Sequence, residues 1–136
     1  MSHKVLVPGT FDLLHYGHMR FLEECAKHGY VTVALATDAH AHPKRKPIMT
    51  YYERREALLH LSHVDKIVPK YEHSLWPIIM KVQPASICYG SDWAKPEWMR
   101  MNGLKDDVSY GGGIRIIEIL NPMVISTTEI IERVKR

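Results

Sequence analysis

The sequence predicts an α/β protein, a Rossmann-like, doubly wound single domain over residues 1–136 with a five-stranded parallel sheet. Three observations carry this reading. Short β-branched runs alternate with helical stretches along the chain, no hairpin signal joins any two runs, and residues 30–36 (YVTVALA) are almost wholly apolar. Strand, helix and strand without hairpins give parallel pairing through right-handed crossovers. A strand apolar on both faces belongs inside such a sheet, under helices on either side.

Each element follows in order. Residues 3–7 form the first strand, which ends at Pro8-Gly9. A helix runs from residue 15 or 16 to 27, with Met19, Leu22 and Cys25/Ala26 on one face and His28-Gly29 as its stop. Residues 30–36 are the second strand, followed by a polar loop over 38–49. Thr50-Tyr51-Tyr52-Glu53 spells a capping box and opens a helix that reaches about residue 62. Residues 64–68 are the third strand and 74–82 the third helix, whose Pro77 is tolerable in a first turn. The fourth strand covers 85–89. A short helix and a loop ending in Gly111-Gly112-Gly113 lead to the fifth strand, 114–120 (IRIIEIL). Ser126-Thr127-Thr128-Glu129 spells a second capping box and starts the last helix.

Composition narrows the function. With 136 residues, 46% hydrophobic and 24% charged, the chain is globular, too short for an eight-fold barrel, and neither disordered nor collagen-like. The net charge of +3 is mild, and Lys and Arg are mostly scattered among acids, so no nucleic-acid partner is expected. The dense exception, Lys44-Arg45-Lys46 followed by Arg54-Arg55, reads as a local anion site. No apolar run approaches the roughly 20 residues that cross a bilayer, and no signal-peptide core is present, so a cytoplasmic location without a membrane partner is expected. Cys25 and Cys88 read as two reduced, buried thiols.

In a doubly wound sheet, ligands bind beyond the carboxyl ends of the strands. Three segments fall there: residues 8–18, 89–93 and 121–128. The first carries Gly9-Thr10-Phe11-Asp12-Leu13-Leu14-His15-Tyr16-Gly17-His18. It joins strand to helix, where unpaired N–H groups and the helix dipole favour phosphate. Gly9 lets the backbone approach a ligand, and Gly17 leaves room between two imidazoles. His15 and His18 stand three apart, so they project to one side of the helix start. Two imidazoles aimed at one point suit the charge that develops on a phosphate in flight. Zinc is not expected, because no third ligand lies at metal-site spacing.

The string resembles the H-x-G-H signature of the nucleotidyltransferase superfamily and, within it, the cytidylyltransferases, those acting on glycerol 3-phosphate above all. The resemblance extends to Thr37-Asp38, Lys44-x-Lys46, Tyr52-Glu53-x-Arg55, Val64-Asp65, Gly90-x-Asp92-Trp93 and Ile125-Ser126-Thr127-Thr128. It implies transfer of CMP from CTP to a small phosphorylated alcohol, release of pyrophosphate, a homodimer, and Mg²⁺ bound largely through the CTP phosphates. His15, His18 and Lys46 become catalytic. Gly9, Thr10, Phe11, Gly17, Asp92, Trp93, Ile125, Ser126 and Thr127 join the two histidines around the nucleotide. Lys44, Asp38, Arg55 and Trp76 face the acceptor, and no residue is assigned as a metal ligand.

Two arginines of that pattern are absent, with Ser62 and Asn121 in their places. Neither can make a bidentate anion contact. Trp76 falls where those enzymes carry an acceptor lysine, with Lys70 and His73 close by. Glycerol 3-phosphate stays the default acceptor from the resemblance, and these departures set beside it ethanolamine phosphate or a small phosphonate such as a hydroxyalkylphosphonate. An adenylyltransferase of the same superfamily and a non-catalytic nucleotide-binding module are the alternatives.

Overall fold

The computed structural model describes residues 3–41, 46–91, 94–104, 113–120 and 126–136. Five strands, β1 (Lys4–Gly9), β2 (Tyr30–Ala36), β3 (Lys66–Lys70), β4 (Ser86–Gly90) and β5 (Arg115–Ile119), pair in the order β3-β2-β1-β4-β5. Every pairing is parallel. The helices are α1 (Tyr16–Ala26), α2 (Tyr51–Leu59), α3 (Trp76–Val82), α4 (Lys95–Met101) and α5 (Thr127–Lys135). This is the expected Rossmann-like fold, with its topological switch between β1 and β4.

The core splits into two layers because neighbouring strand residues face opposite sides. Val5 and Val7 pack with Leu22 and Cys25 of α1 and Leu58 of α2. Leu6, between them in sequence, packs with Leu75, Ile79 of α3 and Trp98 and Met99 of α4. Helices therefore cover both faces of the sheet, which is why β2 tolerates no polar alternation. Both cysteines are free and fully buried, as expected. The neighbouring Cys88 sulfur and burial both push the Cys25 thiol upward. No helix among the described residues is long and apolar enough to cross a membrane.

Several boundaries differ from the sequence expectation, each for a local reason. β3 begins at Lys66, two residues late, because Val64 and Asp65 are used elsewhere. Val64 N–H closes a turn onto Leu61 O, while Asp65 donates its N–H to Val31 O and accepts from Val31 N–H at 2.8 Å. The strand then runs through Pro69, which a sheet edge permits because no outer neighbour needs its missing N–H. α2 stops at Leu59, three residues early, where His60 and Leu61 donate to carbonyls only three positions back. α3 starts at Trp76, since Ser74 Oγ accepts from Trp76 N–H and holds the preceding turn. Met19 is 43% exposed instead of buried. The inward stripe of α1 is Gly17, Leu22 and Cys25, and Met19 lies to one side of it.

Candidate active site

One cavity of about 330 Å³ opens at the carboxyl end of the sheet, over the switch point. Its walls come from the β1–α1 loop, the end of β4, α4, the start of α5, and the ends of β2 and β3. The segments at 8–18, 89–93 and 121–128 thus meet there through Pro8 to Asp12, His15, Gly17, His18, Tyr89, Gly90, Ser126 and Thr127. Asp92, Trp93, Ile125 and Lys44 lie outside the described residues.

The β1–α1 loop owes its shape to two residues with positive φ, Phe11 (51°) and Leu13 (49°). Such backbone is uncommon outside glycine and clusters at functional sites. Gly9 serves this loop in a way the sequence reading did not anticipate. A Cβ there would stand 2.6 Å from the Phe11 ring, so glycine makes room for Phe11 to fold back. Gly9 itself also lines the cavity, so this packing role stands beside the expected approach of a ligand. Thr10 and Phe11 still line the cavity.

His15 and His18 cap α1 with each other. Gly17 N–H donates to His15 Nδ1 at 3.0 Å, and His15 N–H donates to His18 Nδ1 at 3.3 Å. This is a capping box built from imidazoles, where serine and glutamate usually serve. The rings lie 4.0 Å apart, as the i, i+3 spacing predicts. An Nδ1 that accepts cannot also hold the proton of a neutral ring, so both protons sit on Nε2. Burial lowers the His15 pKa. His18 is lowered to about 3, first by burial and then by the His15 ring, with Asp12 opposing. Both rings are neutral donors at pH 7. His15 Nε2 is buried and has no hydrogen-bond partner among the described residues, a position that an anion in the cavity would satisfy.

The start of α5 lines the same cavity. Ser126 Oγ accepts from Glu129 N–H at 3.1 Å, one leg of the predicted box, while Glu129 Oε1 accepts from Arg133 Nε. Thr127 Oγ1 donates to Asp12 O at 2.8 Å and ties α5 to the β1–α1 loop. Both side chains are therefore used by the fold, which leaves the first backbone N–H groups of α5 for a ligand.

Two groups that hold this corner together were not assigned from sequence. Asp12 is 2% exposed, and its carboxylate accepts from Ile48 N–H at 2.7 Å and Met49 N–H at 2.9 Å. It fixes the segment that follows Lys46, an exposed residue that does not itself line the cavity. Arg54 is fully buried. Its guanidinium donates to Thr10 O, Ala36 O and Met49 O and pairs with Asp38 at 2.8 Å. A buried cation needs this many partners to offset its lost hydration. The doublet Arg54-Arg55 was visible in the sequence, but nothing in it says which arginine turns inward.

Three residues expected at the acceptor do not line the cavity. Asp38 is engaged by Arg54, and Arg55 faces outward beside Glu56 at 3.6 Å. Trp76 packs on the core layer of Leu6, Leu75 and Ile79. Their places on that side of the cavity are taken by His40, Lys70 and His73.

Comparison with known proteins agrees with this geometry. The model of the cytidylyltransferase-like family matches residues 6–133. An FAD synthase of Ferroglobus placidus is 36% identical, over 96% of this chain and 87% of its own length. The bifunctional protein HldE of Haemophilus influenzae is 32% identical over 96% of this chain, which spans only 27% of that protein. Among solved structures, a lipopolysaccharide core biosynthesis protein from Thermoplasma volcanium superposes with a TM-score of 0.73 at 26% identity, covering 88% of this chain and 97% of its own.

Proposed function

Since the chain belongs to the cytidylyltransferase-like family and is a nucleotidyltransferase of that family, we propose that it moves the CMP unit of CTP onto a small phosphorylated or phosphonate acceptor. An acceptor oxygen attacks the α-phosphorus, the bond to the β-phosphate oxygen breaks, and pyrophosphate leaves. A phosphate nucleophile is already ionised at neutral pH, so the reaction asks for alignment and charge neutralisation and no general base.

The observation that carries this reading is the pair of backbone bonds to His15 Nδ1 and His18 Nδ1. They orient two Nε2–H donors in advance, which is where a preorganised site lowers a barrier. In this reading Thr10, Phe11 and Gly17 bound the nucleotide beside them. The backbone at Ser126 and Thr127 receives the β- and γ-phosphates, and Lys46 approaches from the segment held by Asp12. Asp92, Trp93, Ile125 and Lys44 keep their nucleotide and acceptor roles within the proposal. No group of three His, Cys, Asp or Glu side chains among the described residues could hold a metal ion. In this reading Mg²⁺ comes carried on the triphosphate, where it would neutralise phosphate charge. The homodimer belongs to the same proposal and is tested by light scattering.

A second reading has its own support. The relatives matched over 96% of the chain include FAD synthases, and FAD is the adenylyl derivative of a phosphorylated flavin. ATP would then replace CTP. One experiment separates the two: pyrophosphate release with CTP or ATP against glycerol 3-phosphate, ethanolamine phosphate, a hydroxyalkylphosphonate and FMN, with products identified by mass. CTP-dependent release with a small acceptor is expected. Release only from ATP and FMN would replace the first reading by the second, and silence throughout would leave a nucleotide-binding module.

A further inference from the structure

The cavity has a second polar cluster in its lining, besides the two imidazoles of His15 and His18. His40 and His73 meet edge to face at 5.0 Å and 90°. His40 Nδ1 is buried with no hydrogen-bond partner among the described residues. Lys70 is 6% exposed, and its ammonium donates to Glu72 O at 2.8 Å and His73 O at 2.7 Å. An ammonium has three donors, so these two bonds leave one over for a ligand. All three residues line the cavity.

Resting on the proposed transfer to a small acceptor, we infer that the wall of His40, Lys70 and His73 receives the acceptor's far end, and that it selects a hydroxyl-bearing end over an aminoalkyl one. The argument is charge and hydrogen-bond supply. An imidazole nitrogen without a partner and a spare lysine N–H together match a hydroxyl, which both donates and accepts. An ammonium offers no acceptor to Lys70 and brings a second positive charge beside that buried one. The cavity supplies little to offset it. Among the described residues the only acid lining it is Asp12, whose two oxygens already accept from Ile48 and Met49 N–H. Asp38, the next acid, is held by Arg54 away from the cavity. Burial lowers the Lys70 pKa to about 8, which still leaves the ammonium form in the majority at neutral pH.

The test uses two acceptors of equal size, 2-hydroxyethyl phosphate and 2-aminoethyl phosphate, each with CTP and with ATP. For the native enzyme the kcat/KM ratio should favour the hydroxyl compound by roughly 10²-fold, the scale of a like-charge contact in a partly desolvated site. Lys70→Met should shrink that ratio by ~10-fold or more. His40→Phe, which keeps the ring packing, should lower kcat/KM for the hydroxyl compound with KM for the nucleotide unmoved. The ratio is internal to each variant, so partial loss of folded protein does not alter it. A ratio near one or reversed, or a ratio that neither substitution moves, overturns this inference while nucleotidyl transfer stands. No turnover of either compound with either nucleotide overturns the small-acceptor reading itself, and the inference with it.

Discussion

The two walls of the cavity are built in opposite ways. In the wall of His15, His18 and the α5 start, each helix start is locked by short-range bonds, Gly17 N–H to His15, His15 N–H to His18 and Glu129 N–H to Ser126, and one long-range bond, Thr127 Oγ1 to Asp12 O, joins the two. The wall of His40, Lys70 and His73 is assembled from the ends of β2 and β3, brought together by the parallel pairing of those strands. A locally locked wall suits a transition state whose shape changes little between substrates. A wall made by tertiary encounter can change one residue at a time, which suits acceptor choice. Arg54 joins them, since it bonds Thr10 O on one side and Ala36 O and Asp38 on the other.

Removing the joint should have the largest effect. Arg54→Ala leaves three carbonyls and a carboxylate without their donor, and should cost about 3–5 kcal/mol of stability in chemical denaturation. Arg55→Ala, on the outer face, should change stability by less than about 0.5 kcal/mol. Equal losses in the two variants would mean the buried arginine joins nothing.

Breaking the locked wall comes next. His15→Ala and His18→Ala should each lower kcat by about 10²–10³-fold with little change in nucleotide affinity. A matching loss in affinity would instead place both rings in ground-state binding. Lys46→Ala should lose about 10²-fold in kcat/KM, with Lys46→Arg restoring only part, because a planar fork is not a point charge. Asp12→Asn should reproduce some of that loss at a distance, since an amide has one carbonyl oxygen for two N–H donors.

A pH dependence also marks the locked wall. His18 titrates near 6.5 when unfolded and about 3 when folded, so below pH 6.5 the unfolded chain takes up a proton that the folded ring refuses. Stability from this group is complete above pH 6.5 and drains away as pH falls toward 3. The slope reaches at most about 1.4 kcal/mol per pH unit. Denaturation curves between pH 7 and 4 should show it, and His18→Asn should flatten it.

This contrast also sets what was legible in the sequence. The parallel, doubly wound sheet, the Thr50 capping box, the Ser126 cap and the paired imidazoles follow from local patterning, and they stand where expected. The packing role of Gly9, the inward turn of Arg54 and the place of His40 beside Lys70 and His73 do not, because each depends on what a distant or folded-back side chain meets. Gly9 reads only as a ligand glycine until Phe11 is seen over it. Trp76 reads as an acceptor residue until helix α3 turns it onto the core. A charged doublet such as Arg54-Arg55 cannot reveal which member turns inward, since one residue step along a helix rotates a side chain by about 100°.

The central claim is that backbone bonds hold His15 and His18 as neutral rings with their protons on Nε2. Long-range proton–nitrogen NMR correlation on imidazole-labelled protein at pH 7 reads this directly. The account predicts an unprotonated, accepting Nδ1 and a protonated Nε2 for both residues, persisting well below pH 6.5 for His18. An imidazolium at neutral pH, or a proton on Nδ1 of either ring, would contradict it.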